Sequence, residues 1–173
     1  THLADEKVDV ADRKPVLKFH IQPEETVIAP DNTKTVKAKI INSAGTTSVE
    51  ALSYMGQSWS KPTVAYVKFG GVKKLVMFVG GGYDAEYEKP SYDQNNKKGA
   101  GVYMFDAENG DLLWWSGANA TSKMGAQAYK CSDQLQYRVV SQIKAIDRDN
   151  DGLVDNLYFG DLGGQAFRID LNN

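Results

Sequence analysis

Cysteine is nearly absent: the 173 residues hold one, Cys131. It cannot pair within the chain, so internal disulfides are excluded; either the thiol is buried or its partner lies in a part of the parent protein beyond these residues. Histidine is almost as scarce. His2 and His20 are far apart and belong to no Cys or Glu pattern, which argues against zinc and for solvated or edge-strand side chains. No apolar run approaches the roughly 20 residues of a membrane helix, so a helical membrane span is not expected. A basic excess is missing too. The net charge of -2 supplies no field that would recruit nucleic acid or an anionic membrane. Gly80-Gly81-Gly82 lacks the following helix and Lys of a phosphate-binding loop. The chain opens on Thr1 with neither an initiator Met nor a signal peptide and is expected to be mature or excised material.

Helical periodicity is the most telling absence, since no apolar three-and-four spacing lasts beyond two turns. Strand patterns take its place. Residues 16–21 and 36–40 alternate, with Pro30-Asp31-Asn32 as a turn between them. Residues 63–69 and 74–79 form a pair joined at Gly70-Gly71, and 102–106 and 111–115 form another joined through Ala107-Glu108-Asn109-Gly110. Gly110 is expected at positive φ in that turn. Trp114 and Trp115, adjacent on a strand, should face opposite sides, with at least one in the core. The tail supplies 139–146, 156–160 and 165–171. The fold class is therefore all-β. At 42% hydrophobic and 24% charged residues, the chain is an ordinary globular one, with the length of a single domain.

Residues 83–99 and 116–136 break the pattern and are expected as surface loops, mostly solvated, where recognition would otherwise sit. With the loops set aside, a repeat emerges. Leu75-Val76-Met77-Phe78-Val79-Gly80 leads to Gly101-Val102-Tyr103-Met104-Phe105-Asp106, and Asn156-Leu157-Tyr158-Phe159-Gly160 leads to Gln165-Ala166-Phe167-Arg168-Ile169-Asp170. A Val/Thr/Ala-rich segment precedes each unit. Such four-strand units point to β-propeller blades. Two blades and an N-terminal portion cannot close a propeller, which takes about four to eight. Residues 1–173 are thus expected to be part of one propeller domain, with blades over 56–171 and strands or an insertion over 1–50.

The sharpest chemical signal is Asp147-Arg148-Asp149-Asn150-Asp151-Gly152-Leu153-Val154-Asp155, with carboxylates at relative positions 1, 3, 5 and 9. Calcium wants six to eight oxygens at about 2.3–2.6 Å, and a tight loop supplies them by turning alternate side chains inward. Leu153 at position 7 needs only its carbonyl, and Gly152 at position 6 tolerates the sharp turn. Position 12 is Tyr158 instead of a bidentate Glu, and strands flank the loop, so this is no EF-hand. Asp155 would close the shell. The predicted ligands are Asp147, Asp149, Asp151, Leu153 and Asp155, with calcium preferred over magnesium, whose small octahedral shell rarely accepts an all-protein cage. Without metal the carboxylates repel one another, Arg148 being the nearby offset in sequence.

The tail from Ala145 to Leu171 resembles the C-terminal propeller of the type IV pilus tip-associated adhesin and biogenesis family, the PilC/PilY group. Gly56-Gln57-Ser58-Trp59-Ser60-Lys61-Pro62-Thr63-Val64-Ala65, Gly80-Gly81-Gly82-Tyr83-Asp84 and Val102-Tyr103-Met104-Phe105-Asp106 agree in the same order. The resemblance implies a modified propeller of the quinoprotein type and a calcium site in this nine-residue loop. It implies a non-catalytic, virulence-associated protein at the pilus tip, outer membrane or periplasm of a Gram-negative bacterium. Pilus subunits or minor pilins and host-cell receptors would be its partners; pilus biogenesis, twitching motility and adhesion its roles. Calcium in that family is held to oppose pilus retraction. Family members are far longer, and residues 1–50 match none of the pattern. Two other classes compete: a quinoprotein dehydrogenase fragment, disfavoured by a single Cys and by ligands confined to one loop, and an integrin-like repeat in which calcium only staples blades.

Overall fold

Eleven strands in three sheets build the chain over residues 15–91 and 94–171, the residues that the computed structural model describes. Strands β1 (Phe19–Ile28), β2 (Lys34–Asn42) and β3 (Gly45–Ser48) form an antiparallel meander. Strands β4 (Thr63–Phe69), β5 (Val72–Gly80), β6 (Gly101–Asp106) and β7 (Leu112–Gly117) run antiparallel in chain order, and β8 (Ala128–Cys131) adds to β7 in parallel. Strands β9 (Lys144–Ile146), β10 (Asn156–Gly160) and β11 (Ala166–Asp170) make the third sheet. The described residues contain three short 3-10 helices and no α-helix. The chain is mostly β, and none of the three sheets closes on itself.

Burial explains the order of layers. Every residue of β6 is buried, as a strand covered on both faces must be, and its sequence is correspondingly apolar from Val102 to Phe105 before it ends on Asp106. Tyr103, Phe105, Leu112 and Trp115 face one way, onto Ala38 and Ile40 of β2 and Leu52. Val102, Met104 and Leu113 face the other way, onto Val139, Ile143, Leu157 and Phe159. The two-residue period of the strand thus splits one run into two cores. The adjacent tryptophans part as expected. Trp115 stacks on Tyr103 at 5.6 Å and on Tyr54 at 5.8 Å, while Trp114 packs into the opposite core.

Several expectations shift. The first strand starts at Phe19 and runs to Ile28, and the turn after it holds Asn32 at φ 63°. Residues 139–146 pair only over Lys144–Ile146. Val139 instead bridges the glycine-rich crossing: its N–H donates to Gly99 O at 3.0 Å and its carbonyl accepts from Gly82 N–H at 2.9 Å. Residues 116–136 include β8, whose mostly exposed residues give no apolar period. Residues 83–99 hold more than solvated loop. Asp84 is 3% exposed and caps a 3-10 helix over Ala85–Glu88. Beside it Arg138, fully buried, donates to Tyr87 Oη at 2.8 Å and Asn96 Oδ1 at 3.3 Å and lies 3.6 Å from Asp84. Burial pulls the Arg138 pKa down, with Tyr87 and Asp84 opposing. Tyr92 and Asp93 of that segment lie outside the described residues, as do His2 and the rest of 1–14. His20 is exposed on the outer strand β1, and Cys131 is exposed, which overturns the buried-thiol alternative.

Candidate metal centre

The acidic segment is the tip of a hairpin. Strand β9 ends at Ile146 and β10 begins at Asn156, with those two residues paired, so residues 147–155 are the whole connection. Its base is fixed from three sides. Val154 is buried in the second core and donates its N–H to Tyr66 O of β4 at 2.9 Å. Asp155 N–H donates to Ile146 O at 2.9 Å, and Asp155 O accepts from Leu171 N–H at 2.7 Å. One apolar side chain and these backbone bonds therefore dock an otherwise exposed polar loop onto two sheets.

Within the loop the carboxylates turn inward because the backbone amides draw them there. Asp147 accepts from Asn150 N–H at 2.6 Å and from Gly152 N–H at 2.9 Å. Asp149 accepts from Asp151 N–H at 3.1 Å, and Asp151 accepts from Leu153 N–H at 2.7 Å. Asp155 Oδ2 accepts from Arg148 N–H at 2.6 Å. Asn150 at φ 64° and Gly152 at φ 84° supply the two left-handed residues that this winding needs. Asn is among the few side chains that tolerate the region, and Gly enters it freely.

Asp147, Asp149 and Asp151 each offer a carboxylate oxygen, and these oxygens lie within 4.8 Å of one another. Oxygens sharing one calcium stand at most about 5 Å apart, twice the metal–oxygen distance. The arrangement suits a hard divalent cation, which would relieve the repulsion of three carboxylates. Of the five sequence-predicted ligands, the fold gathers these three into the cluster. Asp155 stands outside that group with its carboxylate on the Arg148 amide, and Leu153 is half-buried with its amide held by Asp151. An open cleft of about 410 Å³, bordered by Asp149, Asp155 and Asp170, leaves the flank of the loop accessible to solvent.

One neighbour is invisible in the local sequence. The Lys73 ammonium lies 3.6 Å from where a Cβ on Gly152 would stand and 4.7 Å over the Tyr66 ring. The β4–β5 hairpin thus brings a second cation to the loop besides Arg148. Tyr66, whose carbonyl holds Val154, was likewise beyond any local signal. Residues some 80 positions away leave no mark on a nine-residue motif.

No protein-family model, no curated protein and no solved structure matches the chain.

Proposed function

We propose that residues 147–155 bind one calcium ion through Asp147, Asp149, Asp151, the Leu153 carbonyl and Asp155. In this reading the site sits in a blade-built, non-catalytic β-protein at the tip of a type IV pilus. The observation that carries the metal assignment is the convergence of three carboxylate oxygens within 4.8 Å on a strand–loop–strand turn. The blade reading draws support from four strands in simple antiparallel order, β4 to β7, with β5 to β7 packed on both faces and β4 on one, Val64 and Tyr66 staying exposed on the other. Propeller blades pack face to face in that manner. The pilus assignment rests on the resemblance of the tail and of the collinear pieces from Gly56 and Gly80 to the PilC/PilY group.

Calcium would act through the hairpin tip. Loss of the ion leaves close carboxylates to repel one another, so the tip opens while the sheet stays anchored by Val154. A rim that contacts the pilus or its retraction machinery would then change shape without global unfolding. Asp155→Ala in the full-length protein tests this, with surface pili counted in cells with active and with disabled retraction. Fewer pili only where retraction is active supports regulation; equal loss in both backgrounds shows an assembly defect. The attachment of Val154 to Tyr66 favours a second reading, in which calcium only staples the third sheet to the second. Chelation would then lower the melting temperature while pilus numbers stay unchanged with retraction active.

A further inference from the structure

A cleft of about 890 Å³ opens between the second and third sheets, within the size range of small-molecule sites. The two sheets share one core, but at its margin Trp114, Phe167, Ile169 and Leu171 stay half-buried and line the opening. Strand alternation decides which other side chains face in. On β11, Phe167 and Ile169 point to the core, so Arg168 and Asp170 point away. There Asp170 accepts from Asn156 Nδ2 at 2.6 Å and from Arg168 Nε. On β4, Val67 and Phe69 point in and Lys68 points away. Lys130 does the opposite. It pairs with Ser116, two residues from Trp114, and so shares the face of Trp114. Asp170 is the one acidic residue of the lining, so the cleft holds a cation and no inward carboxylate. Lys130 forms no ion pair among the described residues.

The cleft is also polar at one end and apolar at the other. Ser116 opposes Val102, which opposes Gly80, whereas Val67 opposes Lys74. The stretch of β5 from Lys74 to Gly80 therefore separates Val67 from Lys130, a trough of about 20 Å at about 3.3 Å per residue. Ser132 and Gln134 border the Lys130 end, and Phe69 and Leu171 border the Val67 end. We propose that the cleft binds one free, single-chain fatty carboxylate, its head on Lys130 and its acyl chain running past Trp114, Phe167 and Ile169 toward Phe69. A single cation at one end of a long apolar trough complements a molecule with one anionic head and no other polar group. The chain carries a net charge of -2, so the match is local to the cleft. The site shares no residue with 147–155 and is independent of the calcium reading.

Calorimetry and NMR on the 173-residue chain test this, with laurate below its micelle concentration as the probe. One laurate should bind per chain and shift the amides of Lys130, Phe167, Ile169 and Leu171. Octanoate should bind about tenfold more weakly, because its shorter chain buries less apolar surface. Lys130→Glu turns an attraction at the rim into a repulsion and should weaken laurate about tenfold. Lys123→Glu, at a residue that is also exposed, should leave the affinity unchanged. Dodecyltrimethylammonium, with a chain of the same length on a cationic head, should bind the unaltered chain more weakly than laurate does and gain affinity in Lys130→Glu. Absence of saturable laurate binding overturns the proposal. So does equal affinity for the two amphiphiles, or laurate binding undiminished in Lys130→Glu. Cleft shifts that grow with protein concentration and that laurate leaves unaltered overturn it in favour of a second copy. Capture by anionic vesicles without binding of laurate monomers overturns it in favour of a membrane surface.

Discussion

Two acidic connections close hairpins in this molecule, and they treat their carboxylates in opposite ways. Between β6 and β7, Asp106, Glu108 and Asp111 cluster as densely as the aspartates of 147–155, with Gly110 at φ 78° as Gly152 is at 84°. Yet that turn is partly neutralised from outside. Lys74 donates to Asp106 Oδ2 at 3.0 Å, and Asp111 accepts from the amides of Asn42 and Asn109. Burial works against the charged Asp106, but the Glu108 amide and Lys74 outweigh it, and its pKa is lowered. Between β9 and β10, Asp147, Asp149 and Asp151 form no ion pair among the described residues, only bonds to their own loop's amides. Both connections are acidic; what separates them is that Asp106 is ion-paired to Lys74, while Asp147, Asp149 and Asp151 converge on one another with no ion pair among the described residues.

The largest expected effect probes the neutralised turn. A Cβ on Gly110 would meet the Phe19 ring at 2.6 Å as well as an unfavourable φ. Gly110→Ala should therefore cost about 2–4 kcal/mol by denaturant unfolding, overpacking added to left-handed strain. Calcium comes next. Bound as proposed, the ion would hold the folded loop and hardly the unfolded chain, so a hundredfold excess over Kd should add about 2.7 kcal/mol. EDTA should remove that increment and expose the chain to protease near residue 150. If melting and cleavage stay the same, the two connections do not differ as described.

How much of this contrast could be read in the sequence depends on where the deciding contacts lie. The convergence of Asp147, Asp149 and Asp151 on a strand–loop–strand turn was legible because they alternate within one nine-residue stretch between two strands. Strands β10 and β11 were legible through two-residue alternation, and β4 to β7 as short apolar or β-branched runs, bounded by glycine turns. Strand β8 was not, since an exposed strand that pairs in parallel carries no such period. The buried Arg138 was also missed, because a charge is buried only when partners accept it. Those partners, Asp84, Tyr87 and Asn96, lie 42 to 54 positions earlier in the chain. The exposure of Cys131 and the approach of Lys73 were equally questions of tertiary placement.

Two smaller effects sharpen the comparison. At Gly152 a Cβ would find only Lys73 Nζ, at 3.6 Å, so Gly152→Ala should cost only the left-handed strain, about 1–2 kcal/mol in calcium-free buffer. A loss matching Gly110→Ala would mean that the loop is packed, not open. Lys74→Met should cost about 1 kcal/mol at neutral pH, since Lys74 itself is about a third exposed. The sign with pH follows from the lowered Asp106 pKa. Its stabilisation is fully present above the ordinary aspartate value of 3.8 and is lost as pH falls through the lower folded value. The Lys74→Met penalty should shrink over that window; a penalty independent of acid would assign the effect to packing of the lysine stem.

The central claim is that calcium selects residues 147–155 over residues 106–111. Amide chemical shifts followed through a calcium titration test it most directly, in the 173-residue chain and in Asp149→Ala. The account predicts one ion per chain, large shifts confined to Asn150, Asp151, Gly152 and Leu153, silence from Glu108 to Asp111, and strongly weakened binding in the variant. Shifts at both connections, at neither, or undiminished in Asp149→Ala would contradict it.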